Sequence, residues 1–143
     1  MAEILYRSKQ VVIPVNGSVV CCGIFGALTH TGLWVNGGII ELSGSGLVRT
    51  VSPERFIHDR SGEQIYVMAD QHGQVLSSVT AADFAQARIF EYLNYDVFNN
   101  NCHRFIANCY QFPDCHEVML FADLTHKLAN YFNQPVVFYP MLS

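Results

Sequence analysis

Residues 11–40 contain no Asp, Glu, Lys or Arg. A stretch of this kind forms either a membrane span or buried secondary structure, and a spanning helix needs about 20 predominantly apolar residues. Here the apolar runs are broken by Pro14 and by two groups of turn-forming residues, Asn16-Gly17-Ser18 and Asn36-Gly37-Gly38. The stretch therefore predicts several buried strands joined by turns and no transmembrane segment.

The composition is typical of a folded protein with one core. Half of the 143 residues are hydrophobic and 14% are charged, which separates this chain from disordered proteins. No repeat or linker divides the chain, so residues 1–143 are predicted to form a single domain. A formal net charge of −4 and eight scattered basic residues argue against binding to nucleic acid.

The N-terminal ten residues lack the apolar core of a secretory signal. Five cysteines are an odd number, which favours free thiols in a reducing compartment over a disulfide scaffold. We therefore expect a cytoplasmic protein, although export by a non-standard route would escape this argument.

The first half of the chain is predicted to form strands and the second half helices. Asn16-Gly17 and Asn36-Gly37 each favour a hairpin turn between β-branched runs. Thr80 followed by Asp83 indicates the start of a helix, a second helix begins near Asn101, and a third covers residues 117–132. The fold class is α+β, an antiparallel sheet of about five or six strands against about three helices. The predicted strands are residues 11–15, 18–22, 33–35, 39–42, 47–51 and 64–68.

Cys102 is the candidate nucleophile. If Asn101 caps the second helix, Cys102 lies in its first turn, where the helix dipole and free N–H groups favour the thiolate. Phe105, Ile106 and Cys109 follow at i+3, i+4 and i+7, so the sulfur should lie on the buried face, towards the sheet. A cysteine hydrolase needs this geometry. The alternative is that Cys102, like the other cysteines, is a small core residue.

A metal site is a poor alternative for these cysteines. Cys102 and Cys109 on one helix have Cα atoms about 10.5 Å apart, whereas Zn–S bonds are about 2.3 Å long. The pairs C-x-x-C and H-x-x-x-H are absent from the sequence. We predict no metal and no other cofactor.

His30 is the candidate base, because it stands at the start of a predicted strand. His103 is next to Cys102 on the helix, where neighbouring side chains diverge by about 100°, and is predicted to be a poor partner for the sulfur. The remaining four histidines lie in loop-like or surface segments: His58, His72, His116 and His126.

Glu41 is the candidate orienter of His30. A two-residue loop at Asn36-Gly37 pairs Trp34 with Ile39 and Gly32 with Glu41, which puts Glu41 and His30 on one sheet face, diagonally placed. Gly32 leaves room for the two polar side chains to meet. A carboxylate on the second imidazole nitrogen fixes the tautomer. A three-residue loop would turn Glu41 to the other face, and a surface His–Glu pair is the alternative interpretation.

Three segments together resemble the circularly permuted papain-like cysteine enzymes, the group with lecithin–retinol acyltransferase-like and NlpC-type proteins. They are His30-Thr31-Gly32-Leu33-Trp34-Val35, Gly38-Ile39-Ile40-Glu41 and Asn101-Cys102-His103-Arg104-Phe105. The resemblance covers roughly residues 17–110 and has the order His, acid, Cys, the reverse of papain. It implies a permuted papain-like fold and acyl-enzyme chemistry on an amide, ester or thioester.

The resemblance also implies roles for residues. Cys102 would be the nucleophile, His30 the base and Glu41 the third member. Acyltransferase members often have a second His at the third position, so Glu41 favours the hydrolase branches. The Asn-Cys helix is also similar to that of desumoylating isopeptidases, which use a Cys–His dyad.

The expected substrates are a peptide, a lipid or an acyl thioester. The backbone N–H of Cys102 is the expected oxyanion donor. The apolar residues 21–28 would border the cleft or belong to the core. Two alternatives to a soluble hydrolase stay open: a non-catalytic binding module, and a lipid acyltransferase that contacts a membrane surface.

Overall fold

The computed structural model describes residues 5–6, 10–23, 29–58, 64–94, 96 and 101–142. Within them, seven strands form one sheet in the order β1-β7-β6-β2-β3-β4-β5. Neighbouring strands are antiparallel except for β1, which is parallel to β7. The strands are β1 Leu5–Tyr6, β2 Val19–Cys22, β3 His30–Val35, β4 Gly38–Leu42, β5 Val48–Val51, β6 Tyr66–Ala69 and β7 Val137–Pro140.

The β3–β4 hairpin has the predicted two-residue turn. Asn36 and Gly37 both have positive φ, 51° and 81°, as a type I′ turn requires. Val35 pairs with Gly38, and Trp34 pairs with Ile39. The predicted register is therefore confirmed.

Four α-helices accompany the sheet among the described residues, and the predicted α+β class is confirmed. One sheet face packs against α2, α3 and α4, whose buried residues include Ala82, Phe105 and Leu124. The opposite face packs against α1 through Phe56. The helices are α1 Pro53–Ile57, α2 Val79–Ala87, α3 Cys102–Cys109 and α4 Phe121–Phe132. None of them is long and apolar enough to span a membrane.

Two helix starts differ from the prediction. Ser78, not Thr80, caps α2, since its Oγ accepts a hydrogen bond from the N–H of Ala81 (3.1 Å). The third helix, α4, begins at Phe121, where the Asp123 carboxylate accepts from the backbone N–H of Leu120 (2.8 Å). Residues 117–120 belong instead to a 3₁₀ turn over Cys115–Glu117 and the extended segment that follows it.

The hairpin predicted at Asn16-Gly17 is wrong. A turn occurs there, because Ser18 N–H donates to the Val15 carbonyl (2.9 Å), but residues 11–15 do not pair with β2. Val12 bridges Met141 in parallel instead, because β2 is already occupied on both edges by β3 and β6. The sequence interpretation also missed α1, β1 and β7.

Candidate active site

Asn101 fixes the start of α3 and therefore the position of Cys102. Its side-chain oxygen accepts a hydrogen bond from the N–H of Arg104 (3.0 Å), which confirms the predicted cap. Its amide group donates to the Met119 carbonyl (2.8 Å). One side chain thus caps α3 and ties its first turn to the segment before α4.

Cys102 is on the buried face of α3, as the helical spacing predicts. Phe105, Ile106 and Cys109 are buried with it, and Cys102 itself is 5% exposed. The helix packs against β3. The sulfur is therefore held at the junction of the helix start and the sheet.

His30 and Glu41 meet across the β3–β4 hairpin. His30 Nε2 is 2.8 Å from Oε1 of Glu41, whose side chain is fully buried, while that of His30 is 12% exposed. The second carboxylate oxygen of Glu41 accepts from Nε of Arg49 (2.8 Å). A buried carboxylate is costly unless both oxygens are satisfied, and here His30 and Arg49 satisfy them.

Arg49 was missed at the sequence level. It lies directly opposite Glu41 in the β4–β5 pairing. The signal was present, since a buried acidic residue in an apolar strand needs a cross-strand cation. The sequence predicts a strand over residues 47–51, but it does not predict that this strand pairs with β4 and places Arg49 opposite Glu41.

Gly32 has a different role from the one predicted. A Cβ atom at Gly32 would lie 2.5 Å from Cγ2 of Ile39 and 2.9 Å from Cε1 of Phe56. These two apolar side chains, and not the polar pair, use the space above the glycine. The Phe56 ring packs against His30 with centroids 4.9 Å apart, so α1 limits the orientations open to the imidazole.

His30 acts on Cys102, because its hydrogen bonding and its positive charge both lower the pKa of the thiol. Because Nε2 of His30 faces Glu41, the nitrogen left for the sulfur is Nδ1. A carboxylate accepts only, so it favours the tautomer with hydrogen on Nε2 and leaves Nδ1 able to take a proton. The three residues predicted from the sequence are thus connected in the order Cys102, His30, Glu41.

His103 also contacts the sulfur, which corrects the expectation that it is a poor partner. Its Nδ1 is 3.8 Å from Sγ of Cys102 and 3.1 Å from Oγ1 of Thr31. The divergence of about 100° between neighbouring helical residues describes the directions of their Cα–Cβ bonds. The imidazole of His103 extends beyond Cβ, so its Nδ1 can still reach the sulfur. Packing against Phe121, with centroids 5.8 Å apart, holds the ring beside the sulfur.

These contacts change the acidity of Cys102. Burial alone raises the pKa of the thiol, but hydrogen bonds from His103 and His30, and the positive charge of these rings, bring that pKa well below its usual value. Cys109, on the same helix face, lacks such partners, and burial raises its pKa to about 12. The histidines therefore distinguish the two thiols, since both are buried.

None of the five cysteines forms a disulfide in the described part of the chain. In the part of the chain that the structure describes, no group of three His, Cys, Asp or Glu side chains is placed to hold a metal ion. The expected cleft-lining stretch is described only in part. Cys21 and Cys22 are buried in β2, and residues 24–28 lie outside the described residues.

Comparisons of this chain with protein-family models, with curated proteins and with solved structures found no match.

Proposed function

We propose that this protein is a cysteine hydrolase that cleaves an amide, ester or thioester bond. Cys102 is the nucleophile, His30 the base and Glu41 the orienter. The observation that carries the proposal is the connected set of Cys102, His30 and Glu41, with the thiol pKa held well below its usual value despite burial. Perturbed titratable groups that converge in this way are typical of functional sites.

We further propose that the fold is a circularly permuted papain-like arrangement. Three features support this: a cysteine at the first position of a helix, a sheet packed against that helix, and a histidine at the start of a strand of that sheet. The histidine and the acid precede the cysteine in the chain, as a permuted order requires.

The reaction would proceed in two steps. Nδ1 of His30 takes the proton of Cys102, and the thiolate attacks the carbonyl carbon of the substrate. His30 then gives that proton to the leaving amine, alcohol or thiol, and the acyl group stays on Sγ. A water molecule, deprotonated by His30, hydrolyses the thioester and restores the thiol.

The backbone N–H of Cys102 is the proposed oxyanion donor. It belongs to the first residue of α3, and it makes no hydrogen bond to any residue that the structure describes. The carbonyl oxygen of a substrate attacked by Sγ would lie near this N–H. A preorganised donor at this position contributes a large part of the rate in acyl transfer.

Glu41 would act through His30 and not on the substrate. It keeps the proton on Nε2 and stabilises the imidazolium that forms when His30 accepts the thiol proton. Arg49 holds the carboxylate through its other oxygen. A carboxylate in this position would suit a hydrolase or an isopeptidase that acts on ubiquitin-like conjugates.

A substrate panel tests the proposal. Lipid esters, acyl thioesters, cell-wall peptides and ubiquitin-like conjugates are each incubated with the wild-type protein, with Cys102→Ala and with Cys109→Ala. Cys109→Ala is the matched control, because it removes a buried thiol from the same helix face. We expect activity to be lost in Cys102→Ala and kept in Cys109→Ala. Activity that survives in Cys102→Ala would reject the proposal.

A second candidate function is a lipid acyltransferase that works at a membrane surface. One observation favours it: four apolar side chains, each about half exposed or more, line one groove, here called the apolar strip. Its members are Val11, Ile13, Val15 and Leu142. Exposed apolar patches mark interaction sites with proteins or membranes.

A further inference from the structure

His103 lies beside the nucleophile and has no part in the two steps described above. It is 8% exposed, and its ring is held from two sides, by Thr31 of β3 and by Phe121 of α4. Its Nδ1 faces both the Thr31 hydroxyl and the sulfur of Cys102. The ring is therefore fixed with one nitrogen directed at the reacting atom.

The sulfur needs hydrogen-bond donors once it has lost its proton. A thiolate can only accept, and an accepting group that is buried without donors is costly. His30 supplies one donor after it has taken the thiol proton. Nδ1–H of His103 can supply a second, shared between the sulfur at 3.8 Å and the Thr31 oxygen at 3.1 Å.

The other ring nitrogen is compatible with this tautomer. Nε2 of His103 has no hydrogen-bond partner among the described residues, and no fully buried side-chain nitrogen or oxygen in that set lacks one. It follows that Nε2 is reached by solvent. A water molecule can then bond to Nε2, which is compatible with a hydrogen on Nδ1.

We infer that His103 is a positioning residue for Cys102, which holds the sulfur next to His30 and donates a hydrogen bond from Nδ1 to the thiolate. This inference rests on the proposed function, in which Cys102 is the nucleophile. Thr31 sets the plane of the His103 ring. The nucleophile thus lies between two imidazoles, of which His30 moves the proton and His103 does not.

Other charged groups on the elements around α3 do not replace His103. The groups that act on the pKa of Cys102 are His103 and His30. Glu41 and Arg49 pair with each other behind His30. Among the described residues, the other charged side chains on α2, α3, the 3₁₀ turn and α4 form no hydrogen bond with the sulfur: Asp83, Arg88, Arg104, His116, Glu117, Asp123, His126 and Lys127.

The test is the pH dependence of Cys102 alkylation by iodoacetamide, read by mass spectrometry of the Cys102 peptide. In His103→Phe, which keeps a ring against Phe121 but has no donor, we expect the midpoint of the pH–rate profile to rise by about one unit. His103→Asn has an amide near the position of Nδ1 and should restore part of the shift. Thr31→Val should raise the midpoint by less, and Thr31→Ser should leave it unchanged.

Thermal unfolding of each variant controls for misfolding, and His30→Phe separates the two histidines. A low midpoint in the wild type, unchanged in His103→Phe but raised in His30→Phe, would overturn the inference and leave the proposed function standing. An ordinary midpoint in the wild-type protein would overturn both. Lost turnover in His103→Phe with an unmoved midpoint would assign His103 a merely structural role and also overturn the inference.

Discussion

At the residue scale, the thiol of Cys102 differs in acidity from the other buried thiol on its helix. Cys102 and Cys109 are both buried on one face of α3, so burial would raise the pKa of both. Of the two, only Cys102 has the hydrogen bonds and positive charge of two imidazoles, which together outweigh the cost of burial and lower its pKa. The lowered pKa of the Cys102 thiol therefore comes from His30 and His103.

We predict selective alkylation of Cys102 near neutral pH. Because the pKa of its thiol is lowered, Cys102 stays a thiolate at pH values below about 8.5, which is the usual pKa of a free cysteine. The pKa of Cys109 is raised to about 12, so that thiol stays protonated at the same pH. Quantitative mass spectrometry of iodoacetamide-treated protein should find Cys102 modified first. Modification of Cys109 or Cys21 at an equal rate would contradict the assignment.

Glu41→Gln tests the orienter. The amide keeps the size of the carboxylate and can still accept from His30, but it carries no charge to stabilise the imidazolium. We expect kcat to fall by roughly a hundredfold, measured on any substrate found in the panel. Arg49→Gln is the control, since it leaves the carboxylate in contact with His30 and should cost less activity. Equal loss in both variants would mean that Glu41 acts only as part of an ion pair.

At the scale of elements, the β3–β4 hairpin and the start of α3 were predictable from the sequence because local chemistry determines them. Asn36-Gly37 accepts the positive φ values of a type I′ turn, and that turn determines which face Glu41 occupies. Asn101 caps a helix in the way that its short amide favours. These two local features brought Cys102, His30 and Glu41 together.

Other elements could not be predicted, because they depend on which strands pair in the sheet and not on local sequence. Residues 11–15 have the composition of a hairpin strand, but β6 occupies the edge of β2 that they would need. The contacts of Arg49 and His103 depend on strand order and on the packing of Phe121, which no local pattern encodes. The resemblance to permuted papain-like enzymes stays a prediction, as does the catalytic role of each residue.

Two substitutions at Asn101 separate the cap from the nucleophile. Asn101→Ala removes the cap and the bond to Met119, and should lower the free energy of unfolding by about 1 kcal/mol or more. Asn101→Asp keeps the cap acceptor but has no N–H for the Met119 carbonyl, and its negative charge next to Cys102 opposes the thiolate. We expect a loss of stability in denaturant titration and slower Cys102 alkylation. Faster alkylation in Asn101→Asp would contradict the proposed electrostatics.

At the scale of the whole molecule, the site and the apolar strip are separate features. The site uses β3, β4, β5 and α3, whereas the strip lies on residues 11–15 and Leu142, near β7. The strip is therefore a candidate for attachment to a surface and not for catalysis. A hydrolase of small soluble substrates would not need it, so its behaviour helps to choose between the two proposed functions.

Vesicle sedimentation tests the strip. Phosphatidylcholine vesicles are mixed with the wild-type protein, with Ile13→Ser and with Val79→Ser. Ile13 and Val79 are 64% and 65% exposed, and only Ile13 belongs to the strip. The acyltransferase candidate predicts that binding falls in Ile13→Ser and is unchanged in Val79→Ser. If the wild-type protein does not sediment with the vesicles, this candidate is rejected.

The most direct measurement of the central claim is a pre-steady-state burst with p-nitrophenyl acetate, which needs no knowledge of the natural substrate. We predict that the wild-type protein releases one equivalent of nitrophenol rapidly and that its acetyl group is found on Cys102 by mass spectrometry. Cys102→Ala should show no burst, and Cys109→Ala should show the wild-type burst. A burst that persists in Cys102→Ala, or an acetyl group on another residue, would contradict the assignment of Cys102 as the nucleophile.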